Sequence, residues 1–321
     1  MVELTVGAPE TAPITPELAQ EAAARLFRSV RAGRVWLRAR AGETRQTGAC
    51  VPMRPGGDAP PVFMIPGAPG SILQLGPIAA AMTGDRPVYA IRPRGIEEGE
   101  APRETLVGMA EHAIAQMKAA RPKGPYPLVG YSAGGLVALE MAQRLMAAGY
   151  EVPLVVLLDT YPSRAVWPLR CHAEVLGRQA VRALWALLRA GPKSLLREVR
   201  RRVRSLSGYL SASGVSALPP PPLVAEGVSA ASRRVHLASY NAGEAYRPVL
   251  YAGKVLFIQP EEVPDLEPRR PGSVWNRLLP DFEVCRVPGT HLGLVDTGAA
   301  ATAAAICDRL AHLDIAGGSR S

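Results

Sequence analysis

Pro127-Leu128-Val129-Gly130-Tyr131-Ser132-Ala133-Gly134-Gly135-Leu136-Val137-Ala138-Leu139-Glu140-Met141 decides how this chain folds. A short apolar run, the length of a strand, leads into it. A run with apolar residues at helical spacing leads out. Between them Gly130 and Gly134 stand two positions either side of Ser132, a Gly-x-Ser-x-Gly pattern. A turn this sharp holds the serine in a strained backbone geometry that only small neighbours tolerate. It lifts the hydroxyl above the sheet, beside the N-terminus of the next helix. Positive potential there favours a developing oxyanion. The bare pattern is common, and a glycine-rich turn with an idle serine would also produce it. The order strand, motif, helix is what gives it weight.

Working outward, the same alternation continues in both directions. Val62-Phe63-Met64-Ile65, Pro87–Ile91, Pro127–Val129 and Leu154–Leu158 read as short strands, most of them wholly apolar. Such strands are buried on both faces of a parallel sheet. Lys254–Ile258 and Phe282–Val287 are the last two. Helices are expected over Glu104–Arg121, with Leu106, Met109, Ala110, Ala113, Ile114 and Met117 on one stripe, over Ala133–Ala148 and over Ala299–Leu313. Strands alternating with helices imply right-handed crossovers and a doubly wound, mostly parallel α/β sheet. Residues 43–60 supply a short strand and a Pro/Gly-rich approach loop. Between Thr160 and Tyr246 the alternation stops. Glu174–Ala190 is apolar and helical, Ser194–Leu210 is basic and helical, and Pro219–Pro222 breaks the chain, so this insertion reads as a helical cap. The expected organisation is therefore an N-terminal extension (1–42) with one helix over Thr15–Val30, a catalytic domain (43–315) with its lid at about 160–246, and a flexible tail (316–321). Thr15 and Pro16 supply the N-cap and first position of that early helix.

A serine nucleophile needs a base, and the base needs an orienting acid. On such a sheet the chain order is serine, acid, histidine. That order excludes His112 and leaves His172, His236, His291 and His312. His291 follows the last strand, where functional groups gather at the carboxyl end of the sheet. His172 and His236 fall in the cap and His312 at the end of the final helix. Asp159 directly follows the strand Leu154–Leu158, whereas its rival Asp265 lies in a Pro-rich acidic loop with Glu261 and Glu262. Asp159 is the expected acid, because the imidazole must be held rigidly. For the oxyanion, Ala133 supplies one backbone N–H. In Pro66-Gly67-Ala68-Pro69-Gly70 the prolines have none, leaving Gly67, Ala68 and Gly70, of which Ala68 is chosen.

Composition bounds the rest. With 321 residues, 48% hydrophobic and 20% charged, the chain can bury a large core. No run of eighteen apolar residues occurs, so no membrane span is expected. The start lacks a basic segment followed by an apolar one, which argues against a secretory signal. Cys50, Cys171, Cys285 and Cys307 lie far apart, which argues against a metal site or disulfide scaffold and suits the cytoplasm. The net charge of +9 permits an anionic partner. Aromatics are only 5% and are not interleaved with the basic residues, so nucleic-acid binding is not expected.

These stretches together resemble the thioesterase domains that end polyketide synthase and nonribosomal peptide synthetase assembly lines. PVFMIPGAPGS, PLVGYSAGGLVALEMAQRL, VVLLDTYPS, YNAGEAYRPVLYAGKVLFIQ and VPGTHLGLV carry the resemblance, over roughly residues 50–315. It implies an α/β-hydrolase fold and an acyl-serine mechanism, with Ser132 as nucleophile, His291 as general base and Asp159 as its orienting acid. An acyl- or peptidyl-carrier protein would deliver the substrate on phosphopantetheine, and no metal or bound cofactor would be needed. An acid placed after the strand that follows the elbow helix is similar to the chain-terminating (type I) branch. The editing (type II) branch would use Asp265. The proline-rich Pro66–Gly70 loop departs from the commoner family forms. A general carboxylesterase, or a hydrolase fold serving only to bind, are the remaining alternatives. Arg197, Arg200, Arg201, Arg202 and Arg204 make one face of the cap basic, either as a solvated face or as a surface for an acidic carrier.

Overall fold

The computed structural model describes residues 48–68, 70–97, 99–189, 229–264 and 266–318. Seven strands form one sheet: β1 (Cys50–Arg54), β2 (Val62–Ile65), β3 (Val88–Ile91), β4 (Leu128–Tyr131), β5 (Val155–Leu158), β6 (Val255–Pro260) and β7 (Phe282–Val287). Their spatial order is β1-β3-β2-β4-β5-β6-β7. Every pairing is parallel except β1 with β3. The helices are α1 (Gly76–Ala81), α2 (Leu106–Ala120), α3 (Ala133–Ala147), α4 (Leu169–Arg189), α5 (Ala230–Ala245), α6 (Gly272–Trp275) and α7 (Ala299–Gly318).

The all-apolar strands are explained by two cores, one on each face. Phe63, Leu128, Val155, Leu157 and Phe257 pack with Ala110 and Met117 of α2 and with Leu136 and Leu139 of α3. Their alternating neighbours Val62, Met64, Val129, Val156 and Leu256 pack with Ile78 of α1 and with Ala303, Ile306 and Leu310 of α7. A strand with a covered face on each side has no position left for a polar residue. Each such side chain contributes roughly 1.5–3 kcal/mol by leaving water. Thr105 caps α2 by accepting a hydrogen bond from the Gly108 N–H at 3.1 Å.

Several details differ from the sequence reading. The carboxyl-terminal helix runs to Gly318, so residues 316–318 are helical and not part of a loose tail. The first cap helix starts at Leu169, five residues before the expected Glu174, since nothing in Leu-Arg-Cys-His-Ala breaks a helix. The short α1 was not anticipated; its six residues begin with Gly and Pro and carry too little periodicity to see. In the cap, α5 packs against α2 and α3 and so roofs the α3 side of the serine turn. The expected helices over Thr15–Val30 and Ser194–Leu210, the Pro219–Pro222 break and Asp265 lie outside the described residues.

Candidate active site

The register of two neighbouring strands brings the site together. Tyr131 pairs with Leu158, so the next residues, Ser132 and Asp159, leave the sheet side by side. The Ser132 N–H donates to the Leu158 carbonyl and the Asp159 N–H to the Ile258 carbonyl, both at 2.9 Å. Among the described residues these two are also the non-glycine positions with positive φ, 53° and 45°. Such backbone conformations cost on the order of 1–3 kcal/mol each and persist where the surroundings over-determine them.

The glycines show how. A Cβ on Gly130 would lie 2.4 Å from the Gly134 carbonyl oxygen, and one on Gly134 would lie 2.3 Å from the Pro66 oxygen. A Cβ on Gly135 would meet Thr160 Oγ1 at 2.0 Å. Gly135 is therefore required by its neighbour, because Thr160 fills that space and donates to the Ser132 carbonyl at 3.0 Å.

His291 sits in the loop after β7, which turns at Gly289 (φ 105°). Its Nδ1 lies 2.7 Å from Asp159 Oδ2. The Asp159 side chain is 1% exposed and that of His291 31%. A buried carboxylate on Nδ1 fixes the ring's orientation and its tautomer, leaving Nε2 as the basic atom in the neutral ring. Tyr131 holds the same loop from below. Its hydroxyl donates to the His291 carbonyl at 3.1 Å, and the two rings stack with centroids 5.0 Å apart. Burial, and then the charge of Asp159, push the Tyr131 phenol up, so it stays a proton donor. Sequence reasoning passed over Tyr131; its only signal was its place in the motif.

A second missed residue is Glu267, in the loop after β6. Burial first, and then the negative charge of Asp159, push its carboxyl up to about 7, against the opposing influence of His291 and Arg164. Its Oε2 is buried without a partner, as is Asp159 Oδ1. The guanidinium of Arg178 donates to the Glu267 backbone carbonyl. The sequence reading considered Glu261, Glu262 and Asp265 in this loop; nothing in the letters singles out Glu267 from them.

The other histidines lie elsewhere. His172 belongs to α4 and packs on Trp167, His236 belongs to α5, and His312 of α7 is exposed beside Asp308. On the oxyanion side, a Cβ on Gly67 would come 3.4 Å from Ser132 Cβ, so the loop after β2 runs directly against the serine. The Gly70 N–H donates to the Gly67 carbonyl at 2.8 Å and is spent, which narrows the second donor to Gly67 and Ala68. Gly67 and Ala133 border a cleft that opens to solvent. Among the described residues no group of three or more His, Cys, Asp or Glu is arranged to hold a metal ion, and no helix is long and apolar enough to cross a membrane.

The model of the thioesterase domain matches residues 60–207. Residues 60–207 belong to the thioesterase-domain family. Its members are serine-based hydrolases, in keeping with the elbow at Ser132. A dimodular nonribosomal peptide synthase of Bacillus subtilis (strain 168) is 33% identical over 233 residues, which are 70% of this chain and 9% of that protein. The atromentin synthetase nps3 of Serpula lacrymans var. lacrymans (strain S7.9) is 38% identical over 112 residues, 35% of this chain and 12% of that one. The chain thus matches only a small part of these much longer relatives. Among solved structures, the thioesterase domain of NocB, in covalent complex with a fluorophosphonate nocardicin G analogue, is 24% identical and covers 79% of this chain and 95% of its own, with TM-score 0.54. The type II thioesterase YbtT of yersiniabactin biosynthesis is 15% identical, with 83% and 99% covered and TM-score 0.56. The thioesterase fold is accordingly the α/β-hydrolase fold anticipated from the strand-helix alternation.

Proposed function

We propose that this chain is a chain-terminating thioesterase acting on an acyl or peptidyl group delivered as a phosphopantetheine thioester by a carrier protein. In this reading His291 Nε2 takes the proton of Ser132 Oγ as the oxygen attacks the thioester carbonyl. The C–S bond breaks, the thiol leaves with that proton, and the acyl chain stays on Ser132 as an ester. Water or a nucleophile of the chain itself then attacks the ester, with His291 again moving the proton, and an acid, lactone or lactam departs. Asp159 holds the imidazole and balances its charge. The N–H groups of Ala133 and Ala68 receive the oxyanion.

The observation that carries the reading is the 2.7 Å contact of His291 Nδ1 with a carboxylate at the end of β5. An acid in that place favours the chain-terminating branch. The similarity to YbtT is the observation that favours an editing enzyme instead, with its acid in the loop after β6. The cytoplasm, where carrier-bound thioesters are made, is the proposed location.

The test is intact-mass analysis of the chain mixed with an acyl-carrier protein. The expected result is an acyl adduct on Ser132, absent in Ser132→Ala, followed by release of free acid or a cyclic product. Transfer to the Ser132→Ala variant, or turnover of simple esters as fast as carrier-bound thioesters, would overturn the proposal.

A further inference from the structure

Three buried oxygens behind the triad have no part in the chemistry at Ser132. Asp159 gives Oδ2 to His291 Nδ1 at 2.7 Å, but its Oδ1 is buried without a hydrogen-bond partner, as are Glu267 Oε2 and Gln259 Oε1. The fold gathers the three residues. In the strand register Gln259 follows Ile258, the partner of Leu158, and so stands beside Asp159. The loop after β6 is then anchored at both ends. At its start the Glu261 and Glu262 N–H groups donate to the Val287 and Gly289 carbonyls at 2.9 and 3.0 Å, where the loop of His291 begins. At its end the Tyr161 hydroxyl, two residues past Asp159, donates to the Pro268 carbonyl at 3.3 Å. Gln259 Nε2 donates to the Arg269 carbonyl at 3.1 Å. Glu267 is thus fixed within electrostatic reach of both Asp159 and His291.

Two neighbouring carboxyl groups shut off from water do not both ionise readily. Asp159 faces the imidazole and is the charged member of the pair. Glu267 keeps its proton longer: burial first, and then Asp159, push it up to about 7, with His291 and Arg164 opposing. The other groups around this site are Tyr161, Glu174 and Arg178. Burial, and then Asp159 and Glu267, push the Tyr161 phenol up, so it stays protonated through the neutral range. Glu174 of α4 acts on the same phenol, and Arg178 of α4 donates to the Glu267 backbone carbonyl. Loss of the Glu267 proton puts a second negative charge near a ring that already has Asp159 on Nδ1. The imidazolium is the form of the ring that gains from it.

We infer that Glu267 is a positioning residue of this triad, a second acid that acts through charge and makes His291 a stronger base once its own proton is gone. Holding the ring remains the work of Asp159. The inference rests on the thioesterase reading and adds to it a cause for the pH dependence of the reaction.

The experiment follows two curves from about pH 5 to 9. One is kcat/KM on the octanoyl N-acetylcysteamine thioester. The other is the NMR shift of the His291 ring proton, assigned by its loss in His291→Gln. In Glu267→Gln both midpoints should fall by roughly half a unit to one unit, because the ring loses the second charge. Glu267→Asp, which keeps an acid, should stay nearer wild type. In wild type itself the His291 curve should be broader than a one-proton titration, since two coupled groups share it. A one-proton curve in wild type, midpoints that stay or rise in Glu267→Gln, or an equal fall in Glu267→Asp would each overturn the inference. A merely structural role would lower the melting temperature without moving the NMR midpoint, and that result would overturn it too. If the NMR curves behave as expected while no thioester is turned over and Ser132 takes no acyl group, it is the thioesterase reading that fails.

Discussion

Two acidic regions of this molecule, the end of β5 and the loop after β6, are built differently. Asp159 is the residue after β5, in the middle of the sheet. Its own N–H is part of the strand ladder, and the next residue is locked by Thr160 Oγ1 on the Ser132 carbonyl and by Trp275 Nε1 on the Thr160 carbonyl at 3.0 Å. The loop after β6 is tied down by contacts along its length, such as the Glu262 N–H to the Gly289 carbonyl at 3.0 Å and the Tyr161 hydroxyl to the Pro268 carbonyl at 3.3 Å, with a local turn from the Glu267 N–H to the Pro264 carbonyl at 3.1 Å, but its carboxylates stand further along the chain from the sheet. The first region pays backbone strain for a fixed position. The second keeps a carboxyl, that of Glu267, buried near the site but pushed towards its neutral form. Where an acid must hold a base through a reaction cycle, the strand end is the better mount, because fewer soft dihedrals separate it from the sheet.

The largest effect tests the shared premise of the comparison. Ser132→Ala should lower thioester turnover by on the order of 10⁴–10⁶, measured by thiol release. Residual activity near wild type would remove the reason for any triad.

Tyr131→Phe sharpens the comparison from the histidine's side. It deletes the hydrogen bond to the His291 carbonyl but keeps the stacked ring. About 0.5–1.5 kcal/mol is at stake, so kcat should fall roughly three- to tenfold with KM little changed. An unchanged kcat would mean that the β7 loop is positioned by the Asp159 contact alone.

Glu267→Gln addresses the loop, and the readout is stability against pH. The folded carboxyl is raised from 4.5 to about 7, so the native state holds a proton that the unfolded state has already released. Its contribution is complete below pH 4.5 and is lost as pH rises towards 7. The melting temperature of wild type should therefore fall relative to that of Glu267→Gln over this interval, while kcat at pH 8 stays within a few-fold. Parallel melting curves at every pH would show that Glu267 ionises normally.

Much of this was legible in the sequence because the strands are apolar on both faces. Val62–Ile65, Leu154–Leu158 and the run into Ser132 could only be interior strands, and their ends named Ser132 and Asp159. His291 followed from chain order and its place after Phe282–Val287. Tyr131 and Glu267 were not legible. Their roles come from the packing of the β7 loop and of the turns after β6, contacts between residues far apart in the chain that no local pattern encodes. Gly135 looked like spare flexibility until Thr160 appeared against it.

The central claim is that the strand-end carboxylate, not the loop, serves His291. The direct measurement is kcat/KM on one acyl thioester for Asp159→Asn and Asp265→Asn side by side, with folding confirmed by melting temperature. An asparagine at 159 should present the wrong imidazole tautomer and cost on the order of 10⁴, while the change at 265 should stay within a few-fold of wild type. A large loss at 265 with activity retained at 159 would contradict the account and move the acid to the loop after β6.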